Sequence, residues 1–123
     1  MANRERGEAS FQAGDKTYTL QFSINAFCEI EAEIDKSIVI VMNEMANPAT
    51  MRIATARVVL WGGLRRHHPN VTIEEAGELI DAAGGLIPVM NTVTEAVNAA
   101  FPDAAKQVNS SRPRKGVGTG KPS

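Results

Sequence analysis

The sequence predicts an α+β fold: an N-terminal β-hairpin followed by four to five helices packed around a central helix. Three observations support this. Residues 7–22 alternate apolar and polar side chains around a Gly-Asp pair, residues 24–101 place apolar side chains at helical spacing, and residues 103–123 show neither pattern. Strands that precede a run of helices are typical of α+β folds with a small sheet. We therefore expect a single α+β domain over residues 1–102 and a disordered basic tail over residues 103–123.

The composition is that of an ordinary globular chain. With 123 residues, 43% apolar and 22% charged, the chain is long enough for about one domain. Cys28 is the sole cysteine, which excludes an intramolecular disulfide and fits a reducing compartment. The N-terminus does not read as a signal peptide, and the longest strongly apolar run, residues 38–42, is far short of the roughly 20 residues that cross a bilayer. We expect a cytoplasmic protein.

Residues 7–13 and 16–22 predict the two strands of the hairpin. In the second strand Tyr18, Leu20 and Phe22 alternate with polar residues, whereas Phe11 is the one large apolar residue of the first. Gly14 stands at the first position of a two-residue loop, where a mirror-image turn needs positive φ. Because a lone hairpin is marginal in water, it must pack on the helices or gain strands from another subunit.

Helices are predicted over residues 24–34 and 38–46. Ser23 is a plausible N-cap of the first, whose expected apolar face holds Ile24, Phe27, Cys28 and Ile34, with Ile30 on its flank. Residues 38–41 are all β-branched and also fit a buried strand. A short helix that ends before Asn47-Pro48 is favoured, because the residue before a proline avoids the helical region.

A helix over residues 50–64 is the predicted centre of the domain. It carries apolar residues on two sides, and such a helix is usually packed on both. One stripe holds Met51, Ala54, Val58 and Trp61, and the other holds Ile53, Leu60 and Leu64. Gly62-Gly63 weakens the end of this helix and Pro69 stops it.

Two more helices, over residues 72–83 and 86–101, complete the predicted fold. Thr72 and Glu75 form a capping-box pattern at the start of the first, and Gly84-Gly85 is a C-terminal stop. Pro88 must lie in the first turn of the last helix. The apolar stripe of that helix comprises Leu86, Met90, Val93, Val97 and Phe101.

No residue pattern predicts catalysis, a cofactor or a metal site. Adjacent residues point about 100° apart on a helix, so His67 and His68 are poor joint ligands and are interpreted as a solvated helix end. Cys28 is interpreted as a buried structural thiol. The carboxylates at positions 29, 31, 33 and 35 spread around their helix, which favours a solvated acidic face over a docking site for a basic partner. The glycines of residues 116–120 lack the spacing of a phosphate-binding loop.

Protein binding is the function that remains. The candidate partner-binding residues are Trp61, Leu64, Met90, Val93, Val97 and Phe101, although core packing explains the same pattern for most of them. Five basic residues and one acidic residue from position 103 onward give that segment a charge of +4, which leaves −5 for residues 1–102. Nucleic-acid binding is disfavoured, because that segment has no aromatic residues and the rest of the chain is acidic.

Two stretches of the chain resemble a known family. The first comprises Arg6-Gly7-Glu8, Tyr18-Thr19-Leu20, Asn25-Ala26-Phe27 and Glu29-Ile30-Glu31, and the second comprises Leu60-Trp61-Gly62-Gly63-Leu64-Arg65, His68-Pro69 and Thr72-Ile73-Glu74-Glu75-Ala76-Gly77. Together they resemble the gene-transfer-agent type of phage tail protein, a family placed among tail assembly chaperones and also labelled tail tube proteins. The resemblance spans residues 4–101 and does not include the basic tail.

The resemblance implies a role in building a phage or gene-transfer-agent tail. The partner would be the long, helical tape measure protein, kept soluble until tail tube protein polymerises around it, and homo-oligomers would be compatible with this role. The family has no catalytic residues to carry over, and its helical context favours a helix over residues 38–46. The alternative is a structural tail tube subunit, which would remain in the virion. A small enzyme or a nucleic-acid module is a third, weaker hypothesis.

Overall fold

The protein's structure, a computed structural model, describes residues 7–101. In chain order the elements are β1 (Glu8–Ala13), β2 (Lys16–Gln21), α1 (Ile24–Ile34), α2 (Ile38–Ala46), α3 (Ile53–Leu64), α4 (Ile73–Ala82) and α5 (Leu86–Ala100). The predicted fold class, a hairpin followed by helices around a central helix, is confirmed. The predicted tail of residues 103–123 lies outside the described residues.

The hairpin has the predicted turn. β1 and β2 pair antiparallel from Glu8↔Gln21 to Ala13↔Lys16, so the loop contains two residues. Gly14 has φ 67°, the positive value that the mirror-image turn requires. The inner face of the hairpin is apolar: Ala9, Phe11, Ala13 and Leu20 are buried against the helices. This packing supplies the support that an isolated hairpin lacks.

Helix α1 has the predicted bounds but a different buried face. Ser23 caps it, with the Ala26 N–H donating to the Ser23 hydroxyl over 3.1 Å. Ala26 and Ile30 are the buried residues, whereas Ile24 is 65% exposed and Cys28 is exposed. The predicted face is therefore correct only at Phe27 and Ile34, which pack half-buried against the core. The cause is tertiary, because the flank that bears Ala26 and Ile30 meets Gly62 of α3, which admits it closely.

Segment 38–46 is a helix despite its β-branched residues. The Ile40 N–H donates to the Ser37 hydroxyl, and the Ile38 N–H donates to the Glu31 carboxylate of α1 over 2.7 Å. Val41 is the only fully buried residue of α2. Two caps at the N-terminus and one buried anchor thus outweigh a modest unfavourable helix propensity.

Helix α3 is central but begins later than predicted. Its first residue is Ile53 and not position 50, because residues 47–51 form a turn in which the Thr50 hydroxyl donates to the Glu44 carbonyl over 2.9 Å. The start of the predicted stripes is corrected too, since Ile53 is 67% exposed. Farther along, the helix is buried on several sides, at Thr55, Ala56 and every residue from Val59 to Leu64. It contacts the other four helices and β2, as expected of a central helix.

Gly62 and Gly63 are packing positions inside α3. A Cβ on Gly62 would lie 2.5 Å from Ile30 Cγ1, and one on Gly63 would lie 2.7 Å from the Phe22 ring. The helix runs through both glycines to Leu64. These residues therefore let α1 and the end of the hairpin approach α3 closely.

Helices α4 and α5 begin and end where local signals predicted, within a residue. Thr72 and Glu75 form both hydrogen bonds of the capping box, at 3.0 and 2.9 Å. The buried residues of α5 are Val89, Thr92, Val93 and Ala96. Val93 is the only residue of the predicted stripe among them. Leu86, Met90 and Val97 are half-buried beside it. The helix is rotated towards the hairpin, which leaves part of the predicted stripe beside α2.

Candidate functional site

A groove lies between α2 and α5. Its volume is about 320 Å³. The lining residues come from α2, the α2–α3 turn and one side of α5: Met42, Met45, Ala46, Met51, Leu86, Ile87, Met90, Asn91, Val93, Thr94, Val97 and Asn98. Segments about 40 residues apart in the chain therefore build one surface, which opens to solvent.

The groove is apolar and uncharged. Nine of its twelve lining residues are apolar, and the other three are Asn91, Thr94 and Asn98, which lie on α5. Ile87 is 74% exposed, the highest value among the large apolar residues that the structure describes. A concave surface of this kind, with an exposed aliphatic residue at its margin, is typical of a site for an apolar partner.

Methionine dominates the groove. Four of the five methionines of the chain, Met42, Met45, Met51 and Met90, line it. The unbranched thioether side chain adapts to differently shaped apolar surfaces, and methionine is common where one surface binds several sequences. The groove can therefore accept apolar side chains without a fixed order.

Three of the six residues proposed from the sequence for partner binding line the groove. These are Met90, Val93 and Val97, from the middle of α5. Val93 is also 3% exposed, so it forms the floor of the groove. The predicted helical stripe on α5 therefore lies where a partner could contact it.

The other three residues lie elsewhere. Leu64 is fully buried in the core, and Trp61 is 9% exposed with the Arg65 guanidinium 5.1 Å above its ring. Phe101 stacks on Phe27 of α1, with 5.0 Å between ring centroids. All three residues pack against the body of the protein, outside the α2–α5 groove.

The sequence interpretation missed the α2 wall of the groove. The sequence pattern places Met51 on a stripe of the central helix and gives no separate role to Met42, Met45 or Ile87. The available signal was the clustering of three methionines within ten residues. Their convergence with Met90 depends on tertiary packing, which no local pattern reports.

The two histidines hold the hairpin against the end of α3. His67 Nε2 lies 3.1 Å from a Glu8 carboxylate oxygen and 3.1 Å from Gln21 Oε1, while the Thr19 N–H donates to His68 Nε2 over 3.3 Å. The predicted solvated helix end is therefore correct for His67, which is exposed, and wrong for His68, which is half-buried. Burial, and secondarily the charge of His67, lower the pKa of His68, which favours the neutral ring that accepts this hydrogen bond.

Other candidate chemistry falls on scattered residues. Cys28 is exposed, so the predicted buried thiol is wrong. On α1, Glu29 pairs with Arg65 at 2.8 Å and Glu31 caps α2, so two of the four neighbouring acids have structural roles. The glycines of residues 116–120 lie outside the described residues.

Within residues 7–101, no three histidine, cysteine, aspartate or glutamate side chains are grouped closely enough to hold a metal ion. In that same range, no helix has both the length and the apolar character needed to span a membrane.

Comparison with known proteins gives one match. A family model described as "Phage tail tube protein, GTA-gp10" matches residues 6–103. No curated protein and no solved structure matches the chain. The matched range includes every strand and helix described above, and with them both walls of the groove.

Proposed function

This chain belongs to the family described as phage tail tube protein, GTA-gp10, and from that premise we propose that it is a tail assembly chaperone whose α2–α5 groove binds the tape measure protein. Binding would keep this long helical partner soluble in the bacterial cytoplasm until tail tube protein polymerises around it. The observation that carries the proposal is the uncharged, methionine-rich groove. A chaperone needs such a surface to cover apolar stripes of its client.

The dimensions of the groove suit a helix. The α5 wall runs from Leu86 to Asn98, which at 1.5 Å per residue is roughly 18 Å, or about three helical turns. A client helix with apolar residues at i, i+3 or i+4, and i+7 would place three anchors over that length. The Asn and Thr side chains on the rim can hydrogen-bond polar residues beside the apolar stripe.

The remainder of the surface suits a solubilising role. Exposed acidic residues lie on α1 and α4, among them Glu33, Asp35, Glu74 and Glu78. Residues 1–102 carry a net charge of −5. A complex whose apolar stripe is covered and whose exterior is acidic would resist aggregation through charge repulsion.

A matched pair of substitutions tests the site. Ile87→Glu places a charge at the margin of the groove, and Ile24→Glu places the same charge on α1 outside it. The two isoleucines are 74% and 65% exposed, so neither change disturbs the core. Co-expression with the tape measure protein of the same tail gene cluster should give soluble client with the parent chain and the Ile24 variant, and less with the Ile87 variant. Equal client solubility with and without this chain would refute the proposal.

The structural tail tube subunit is the second candidate function. The description of the family as tail tube protein favours it. Within residues 7–101, however, the sheet contains only two short strands, whereas tube subunits generally rest on larger β-sheets that form rings. Quantitative mass spectrometry of purified particles separates the two functions: a tube subunit is present in many copies per tail, and a chaperone is depleted.

A further inference from the structure

Four methionines converge on the α2–α5 groove. Met42, Met45, Met51 and Met90 approach from two helices and a turn, and each is half-buried. A half-buried methionine in an open groove can contact an apolar partner and can also meet a small oxidant from solvent. Thioethers are oxidised reversibly to sulfoxides, and this change disrupts methionine-rich interfaces.

We propose that these four methionines form an oxidative modification site that closes the groove to apolar partners. The oxidant is a peroxide. Its O–O bond breaks as one oxygen atom is transferred to the methionine sulfur. The thioether is thereby oxidised by two electrons to the sulfoxide, and hydrogen peroxide is reduced to water. Only the identity of the partner rests on the proposed function.

The lining of the groove explains why a sulfoxide closes it. The sulfoxide oxygen is a strong hydrogen-bond acceptor, and an acceptor that is buried without a donor costs free energy. The side-chain donors among the twelve lining residues are Asn91, Thr94 and Asn98, all on α5. Oxidised Met42 and Met45 on the opposite wall would be covered by a bound helix without these donors. Partner binding is therefore weakened most by oxidation of the α2 wall.

The experiment needs a background without the thiol. Cys28 is exposed and is also oxidised by peroxide, but it does not line the groove, so Cys28→Ser is made in every protein tested. The parent then carries the four groove methionines, and the test variant carries M42L/M45L/M51L/M90L. Leucine conserves volume and apolar character but does not react with peroxide.

Two binding probes are used before and after hydrogen peroxide. One is the apolar dye anilinonaphthalene sulfonate, and the other is a tape measure segment from the same gene cluster. Peptide mass mapping should find sulfoxide at the four methionines of the parent. Affinity of the parent for both probes should fall about tenfold, equivalent to roughly 1.4 kcal/mol. Methionine sulfoxide reductase should restore it. The affinity of the leucine variant, whatever its value before treatment, should not change with hydrogen peroxide.

Several outcomes would overturn the inference. One is a parent that carries the four sulfoxides and binds both probes unchanged; another is a leucine variant that loses affinity as much as the parent; a third is a parent that binds neither probe before oxidation. If the quadruple variant does not fold, M42L/M45L is used, and it must lose less affinity than the parent. Reversible loss of dye binding, without any binding of the tape measure segment, supports this site but refutes the proposed function.

Discussion

At the residue scale, two glycines of α3 lie where neighbouring side chains leave no room for a Cβ atom. Gly62 faces Ile30, which is fully buried, and Gly63 lies under the Phe22 ring. A buried isoleucine cannot move aside as an exposed side chain would. The Gly-Gly pair therefore lowers the helix propensity of α3 but allows α1 and the end of the hairpin to pack closely against it.

Gly62→Ala should destabilise the protein by about 1–3 kcal/mol, because its new Cβ would overlap Ile30 in a packed core. The overlap exceeds the gain of roughly 1 kcal/mol in helix propensity from glycine to alanine. Denaturant unfolding followed by circular dichroism measures the change. In an I30V background, which removes the Cδ1 atom 2.6 Å from the added Cβ, the penalty should be smaller. An equal penalty in both backgrounds would contradict this explanation.

His68 makes the attachment of the hairpin dependent on pH. His68 accepts a hydrogen bond from the Thr19 N–H and lies beside the Tyr18 ring, 5.0 Å between centroids. Burial lowers the pKa of His68 below its ordinary value near 6.5. The unfolded chain therefore binds this proton more readily than the folded one, so stability is highest above about pH 6.5 and is lost as the pH falls towards the folded pKa.

His68→Gln should flatten this acid dependence. The unfolding free energy of the parent should fall more than that of the variant between about pH 7 and about pH 5, as measured by urea unfolding at several pH values. His67→Gln is the comparison variant, and it should reduce the acid loss only in part, since the charge of His67 is the smaller cause. Superimposable pH profiles for the parent and the His68 variant would show that another group titrates.

At the element scale, α2 is the helix with the fewest internal reasons to be helical. Its first four residues are β-branched, and Val39 and Ile40 are 65% and 49% exposed. Its fold depends on contacts at its ends: Ser37 and Glu31 cap the N-terminus, and Lys36 pairs with Glu44 at 2.9 Å. The wall of the groove that carries Met42 and Met45 is thus secured by the buried Val41 and by polar contacts at the ends of the helix.

Glu31→Gln should loosen α2 selectively. A neutral amide oxygen is a weaker acceptor than the carboxylate for the Ile38 N–H, and the difference is about 1 kcal/mol. Hydrogen–deuterium exchange should accelerate for the amides of α2 while those of α3 stay protected. Glu33→Gln is the matched control on the exposed face of the same helix. Equal exchange in the two variants would show that the Glu31 cap does not hold α2.

At the scale of the whole molecule, the groove and the charged surface are separate. None of the twelve groove residues is charged, whereas exposed acidic side chains of the described residues lie on α1 and α4, outside the groove. The hairpin supports α5 from the side opposite α2, through the buried residues of β1. Partner binding and overall charge can therefore be altered independently.

Deletion of residues 103–123 tests this separation. The net charge changes from −1 to −5, while all twelve groove residues remain. Affinity for a tape measure segment, measured by calorimetry at about 0.15 M salt, should stay within about twofold, because an uncharged groove gains little from charges that salt screens. A much larger loss would place part of the binding surface in the deleted residues.

The sequence by itself determined the order of the elements and most of their ends. The residues that set these ends act within one or two turns of the backbone, so their effects can be predicted without tertiary context. They are Ser23, the Thr72–Glu75 capping box, Gly84-Gly85 and the prolines. Helical spacing in the same way placed Met90, Val93 and Val97 on one stripe of α5, and these three of the six proposed binding residues line the groove.

Only the tertiary structure decided which helix faces are buried and where the groove lies. The buried face of α1 follows from the shape of α3 at Gly62, and the histidine contacts follow from where the hairpin rests. The groove joins Met42 to Met90, residues whose proximity no local period encodes. The ends of a helix are set by hydrogen bonds between residues close in the chain. Which face of the helix is buried depends on the distant surface that packs against it, because a helix can carry several apolar stripes that are equally suited to burial.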